Sequence, residues 1–128
     1  MPRRSVVSAQ APSAIGPYSH AVWTGSLLYC SGQTPIDPAT GQLVPGEIEE
    51  QTRQAFHNLE TVLHSAGLSM DDVIKVNVYL TKMSNFAGMN AVYQSRFNAP
   101  YPARTTVAVA ELPLNALVEI ELVAEKTA

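Results

Sequence analysis

The chain has 128 residues, with 8 basic and 11 acidic side chains and a net charge of −3. Its length predicts one domain over 1–128, large enough to bury a core without disulfides or a metal. Hydrophobic residues at 46% exclude a disordered chain, the lone Cys30 excludes a disulfide scaffold, and no run of about 18 apolar residues exists to form a membrane-spanning helix. Arg3–Ser8 reads as a short edge strand, and Pro12, Gly16 and Pro17 mark Ala9–Pro17 as a loop. Ala21–Thr24 and Leu27–Ser31 flank Gly25-Ser26, the pattern of two strands around a tight turn. Gly32–Gly46 holds Pro35, Asp37-Pro38, Thr40-Gly41 and Pro45-Gly46, which predicts a long surface excursion of the kind that often carries function.

Glu47–Ala66 is the clearest helix. Ile48, Thr52, Ala55, Leu59, Val62, Leu63 and Ala66 fall on one stripe, opposite Glu50, Arg53, His57, Glu60 and His64. Three glutamates sit in the first turn, where the helix dipole favours anions, and Gly67 follows where a left-handed residue stops a helix. Glu60 and His64 are spaced to pair across one turn. Asp71–Leu80 alternates as a strand. Ser84 is placed to cap a second helix with the stripe Phe86, Met89, Tyr93 and Phe97. Pro100 and Pro102 force an extended entry into a strand over Ala103–Ala110, Pro113 breaks it, and Leu117–Ala124 is the last strand. Two helices and about six strands pack most economically as one mixed sheet with both helices on one face. The other face is then bare, and a charged fraction of only 15% predicts that copies of the chain cover it.

No acidic residue precedes Asp37, and Arg3-Arg4 is the only adjacent basic pair. Pro2, Pro12 and Pro17 interrupt any amphipathic helix there, so the expectation is a cytoplasmic protein with its N-terminus intact. The acidic balance and the lack of a basic stripe argue against a nucleic-acid partner, and no membrane association is expected.

Nucleophile elbows, zinc-helix motifs, P-loops and dinucleotide fingerprints are all absent. His57 and His64 fall on the solvated side of the helix. His20 lies beside a strand without a carboxylate neighbour in sequence. Cys30 lies in an apolar strand and reads as a buried, inert thiol. No metal-ligand spacing occurs, and neither metal nor cofactor is expected. Arg104 is out of pattern in so apolar a strand. It is either an edge residue with its stem packed and its head in water, or a fixed fork for a carboxylate or phosphate. Glu119 and Glu121 share a strand face. Alternation alone makes that face solvated, but a subunit covering it would leave a carboxylate that is expensive to bury.

Several segments together resemble the RidA family, also called YjgF or L-PSP. They are Ala14-Ile15-Gly16-Pro17-Tyr18-Ser19, Ser31-Gly32-Gln33, Asp37-Pro38-Ala39-Thr40-Gly41, Gln51-Thr52-Arg53-Gln54-Ala55, Asn58-Leu59, Ala66-Gly67-Leu68, Asn90-Ala91-Val92-Tyr93, Pro102-Ala103-Arg104-Thr105-Thr106-Val107 and Val118-Glu119-Ile120-Glu121. The resemblance spans about residues 11–125 in unbroken order. It implies a chorismate-mutase-like α+β fold assembled as a homotrimer with clefts between subunits. It also implies hydrolysis of reactive 2-aminoacrylate-type and 2-imino acids, released by pyridoxal-phosphate dehydratases, to 2-ketoacids and ammonia. On this resemblance Arg104 binds the substrate carboxylate and Glu119 holds or activates water. Tyr18, Ser31, Gly32, Asn90 and Thr106 complete the substrate site. The chain departs from many relatives at Thr106, often cysteine, at Ala108, often acidic, and at His20, often glutamine. Asn98–Tyr101 is also shorter than in some relatives. Two other functions attach to such a chain: a non-enzymatic ligand-binding or chaperone-like trimer, and the endoribonuclease or translation-inhibitor role with which the family has been labelled.

Overall fold

A computed structural model describes residues 2–127. In chain order the elements are β1 (Arg4–Val6), β2 (Ala21–Thr24), β3 (Leu27–Gln33), β4 (Ile36–Asp37), β5 (Gln42–Leu43), α1 (Ile48–Ser65), β6 (Val73–Leu80), α2 (Phe86–Arg96), β7 (Ala103–Ala108) and β8 (Val118–Glu125). Six strands form one mixed sheet in the order β1-β2-β3-β8-β6-β7. All pairings are antiparallel except β6 with β7, which α2 connects. The expected sheet, with its two helices on one face, is therefore present. No helix among the described residues is long and apolar enough to cross a membrane.

The alternation of side chains along a strand sorts the sheet into two faces. Leu28 and Cys30 of β3, Val76, Val78 and Leu80 of β6, and Ile120 and Leu122 of β8 are buried against the helices. Phe56, Leu59, Val62 and Leu63 of α1 fill that core with no exposure at all. Side chains this deep each contribute about 1.5–3 kcal/mol relative to an exposed position. Tyr29, Lys75, Asn77, Tyr79, Glu119, Glu121 and Val123 point the other way, onto a face that no helix among the described residues covers.

Several boundaries differ from the expectation, each for a local reason. The strand expected from Asp71 begins at Val73, because Ser69 and Asp72 cap one another around a short 3-10 turn. Ser84 does not cap α2; it lies inside a second 3-10 turn, Met83–Asn85, and the helix starts at Phe86. The start of α1 is fixed by a capping box that hydrophobic spacing does not reveal, with the Glu47 N–H donating to Glu50 Oε1 at 2.7 Å. Glu60 pairs with Arg96 of α2 at 3.3 Å instead of His64. Of the expected Gly32–Gly46 excursion, Gly32 and Gln33 extend β3, and the rest carries the short β4–β5 hairpin. Asn58, buried on α1, holds it by donating to Thr34 O at 3.2 Å and Ile36 O at 2.9 Å.

Candidate functional site

Arg104 is the second residue of β7 and pairs with Val76, so its side chain rises on the helix side, at the sheet edge under α2. There Asn90 Oδ1 accepts a hydrogen bond from Arg104 Nη1 at 2.6 Å. The guanidinium carbon lies 4.6 Å from the Tyr93 ring centre and 5.5 Å from that of Phe86. These helix residues fall at positions 86, 90 and 93, spacings that put them on one face. Cation–π attraction and the Asn90 bond therefore fix the head from three sides. Against the two readings of Arg104, the head is not loose, being held by Asn90 and the two rings, and it still faces open space. Among the described residues no carboxylate lies within ion-pair distance of it. The guanidinium, Asn90, Tyr93, Gln94, Tyr101 and Pro102 line an open cavity of about 440 Å³.

Thr106 lies two residues along on the same face, and its hydroxyl is buried without a partner, as is that of Tyr93. Burial pushes the Tyr93 phenol up, and the neighbouring Arg104 charge pulls the other way.

Glu119 belongs to a second group of residues. It pairs with Tyr79, on the face turned away from the helices. With Tyr18, Gly32, Ile15, Ser13 and Thr34 it lines a small recess of about 50 Å³. Gly32 leaves room for the carboxylate in its observed position: a Cβ there would stand 2.6 Å from Glu119 Oε2, so that side chain would have to shift. Burial first, and then the charge of Glu121, raise the Glu119 carboxyl above its ordinary value. Glu121 accepts a hydrogen bond from the Tyr79 hydroxyl, and that bond is the main reason the phenol is pushed up to about 12. The expectation of a plainly solvated Glu119/Glu121 face therefore fails. Both carboxylates are half-buried within one chain.

The expected residues thus fall into two groups. Asn90, Arg104 and Thr106 share the helix side, while Tyr18, Gly32 and Glu119 share the recess on the other face. Ser31 joins neither directly. Its hydroxyl donates to Ser19 O at 2.6 Å, and it lines a neighbouring hollow with Asn77 and Glu121. Cys30 is buried, and burial pushes its thiol up to about 12. His57 and His64 are exposed. Among the described residues no three His, Cys, Asp or Glu side chains gather as metal ligands would. Sequence reasoning missed Phe86, Tyr93, Gln94 and Tyr101 as neighbours of Arg104. The i, i+3 and i, i+4 spacing of the α2 aromatics about Asn90 was the available signal.

The structure thus presents a guanidinium held by Asn90 and two aromatic rings beside an open cavity, on a small two-layer α+β domain. The Endoribonuclease L-PSP family model matches residues 8–126. A RutC family protein of Pyrococcus horikoshii is 49% identical over 94% of this chain and 96% of its own length. A protein of Dermatophagoides farinae named 2-iminobutanoate/2-iminopropanoate deaminase is 44% identical over 94% of both chains. The crystal structure of RidA from an Antarctic Psychrobacter superimposes with a TM-score of 0.93 at 42% identity, covering 97% of this chain and all of that one. The chain belongs to the RidA, or L-PSP, family.

Proposed function

We propose that this protein is an enamine/imine deaminase that hydrolyses 2-imino acids, such as those released by pyridoxal-phosphate dehydratases, to 2-ketoacids and ammonia. The observation that carries the reading is Arg104: a guanidinium held by Asn90 and two aromatic rings, with donors left for a ligand carboxylate. Close relatives that bear the deaminase name support the same chemistry.

Arg104 grips the substrate carboxylate, with Thr106 and Asn90 beside it. The protonated imine carbon is electrophilic, so an oriented water is a sufficient nucleophile. Glu119 takes a proton from that water as its oxygen bonds to the carbon. It returns that proton to nitrogen, then takes the remaining hydroxyl proton as the C=O forms and the C–N bond breaks; the ketoacid and ammonia leave, and the last proton passes from Glu119 to ammonia or solvent. A carboxyl raised by burial is well matched to both steps. Tyr18, Ser31 and Gly32 shape the water side of the site.

Arg104 and Glu119 are on opposite faces of one sheet, so a site using both needs two copies. A homotrimer with the bare faces turned inward supplies three such clefts, which also accounts for the low charged fraction. The family description carries the word endoribonuclease; a net charge of −3 is a poor match to a phosphate backbone.

The test is to generate 2-iminobutanoate with a threonine dehydratase in the presence of the protein and follow 2-ketobutanoate release. Acceleration by the wild type that is lost in Arg104→Ala and Glu119→Gln supports the reading. No acceleration by the wild type would overturn it in favour of a non-enzymatic ligand-binding trimer, and ribonuclease activity lost in the same variants would favour the RNA-directed one.

A further inference from the structure

His20 lies immediately before β2 and is buried, 5% exposed. Its Nδ1 accepts from the Ser8 N–H at 3.0 Å, and its Nε2 lies 2.8 Å from Pro12 O. The partners dictate the proton's place: an amide N–H only donates and a carbonyl oxygen only accepts, so the proton is on Nε2. One imidazole thus ties together two points four residues apart in a segment without regular structure.

That segment, Ser8–Ser19, forms an arch. The Ser8 hydroxyl at its entrance accepts from Ser65 Oγ, at the end of α1, at 2.8 Å. Ser31 holds the exit, donating its hydroxyl to Ser19 O and its N–H to His20 O at 2.9 Å. Between these anchors Pro12, Ser13, Ile15 and Tyr18 line the recess over Glu119. Ile15 is 71% exposed and Tyr18 46%, so core packing within the chain does not fix where they stand. The anchors do.

We infer that His20 is a positioning residue, which sets the height of the Ile15–Tyr18 arch over Glu119 through its two hydrogen bonds. The inference rests on the reading of Tyr18 and Glu119 as one side of the deaminase site. His20 bonds to neither of them. It acts through the arch and not on substrate.

The two bonds can be separated chemically. Asparagine puts an acceptor where Nδ1 stands, glutamine puts a donor where Nε2 stands, and leucine supplies neither. The experiment measures kcat and KM for 2-iminobutanoate, and amide hydrogen exchange, in wild type, His20→Asn, His20→Gln and His20→Leu. Misplacement of a catalytic neighbour by about 1 Å can cost about a hundredfold. The expected kcat loss is therefore about tenfold in each single-bond variant and about a hundredfold in His20→Leu. KM, set on the Arg104 side, should stay within about twofold. Amides of residues 13–19 should exchange faster in the same order while those of α1 do not.

A folded His20→Leu with wild-type kcat would overturn the inference, as would exchange accelerating equally in α1 and the arch. If His20→Leu does not fold, the asparagine and glutamine variants decide by the same two criteria. Should the wild type itself be inactive on the imine, the deaminase reading fails. The exchange measurement then still tests whether His20 holds the arch.

Discussion

Arg104 and Glu119 stand on opposite faces of one sheet. Arg104 pairs with Val76 in the row buried under the helices, and Glu119 pairs with Tyr79 in the row facing away. Period-two alternation makes this a fixed consequence of register: only a one-residue slip would bring them to the same side. If catalysis uses both, each cleft takes one residue from each of two subunits. Arg104→Ala and Glu119→Gln chains, each inactive alone, should then complement. In a ring of three, every mixed trimer holds one intact cleft, so equimolar random mixing should restore about a quarter of wild-type activity. No recovery after unfolding and refolding the mixture would place both residues' work within one chain.

Gly32 is the second test of the Glu119 side. Gly32→Ala places a methyl against the carboxylate, and the side chain must turn away. The expected outcome is a folded protein with kcat reduced about a hundredfold by misplacement of the reacting group. Steady-state kinetics and circular dichroism on the same sample check it. Undiminished kcat would show that Glu119 need not hold the observed position.

The raised Glu119 carboxyl has a stability consequence. Folding binds a proton more tightly at this site, so its contribution is fully present below the ordinary carboxylate value and is lost as pH rises through the raised one. Glu119→Gln removes that ionisation. In urea titrations the variant should match wild type at about pH 3.5 and exceed it at about pH 7.5, while losing activity. A gain confined to the acid side would contradict the sign.

Tyr93 separates a ring from its hydroxyl. The buried phenol oxygen has no partner, so Tyr93→Phe should leave the melting temperature unchanged or raise it. The ring under Arg104 is retained, and KM should hold. Tyr93→Leu removes the platform and should cost about 1 kcal/mol of cation–π attraction, seen as a raised KM for the imino acid. A large destabilisation in Tyr93→Phe would mean the hydroxyl has a partner after all.

How much of this was legible beforehand follows from what each residue responds to. The α1 stripe, the β6 and β8 alternation and the stop at Gly67 are local patterns, and they read directly. The family motifs named Arg104, Glu119 and their neighbours. What sequence could not supply was the division between faces, because that depends on which strand pairs with which. Arg104 and Glu119 each sit in a clear period-two strand, yet nothing in either strand states that β6 lies between them. Ser84 misled for a similar reason: a serine at cap spacing is uninformative when a 3-10 turn precedes the helix. Asn58 and Gln51, buried polar residues of α1, were also invisible. Their reasons are distant, the loop carbonyls at Thr34 and Ile36 and the Leu117 N–H.

The single thiol is sealed in β3 against the core and pushed up to about 12, which predicts slow reaction with alkylating reagents at neutral pH. A cysteine introduced on the arch, at exposed Ser13 for example, would be the only sulfur to take a spin label or a fluorophore. If the chain assembles as the proposed trimer, the distances between labels on its copies could then be read directly, without first removing the native residue.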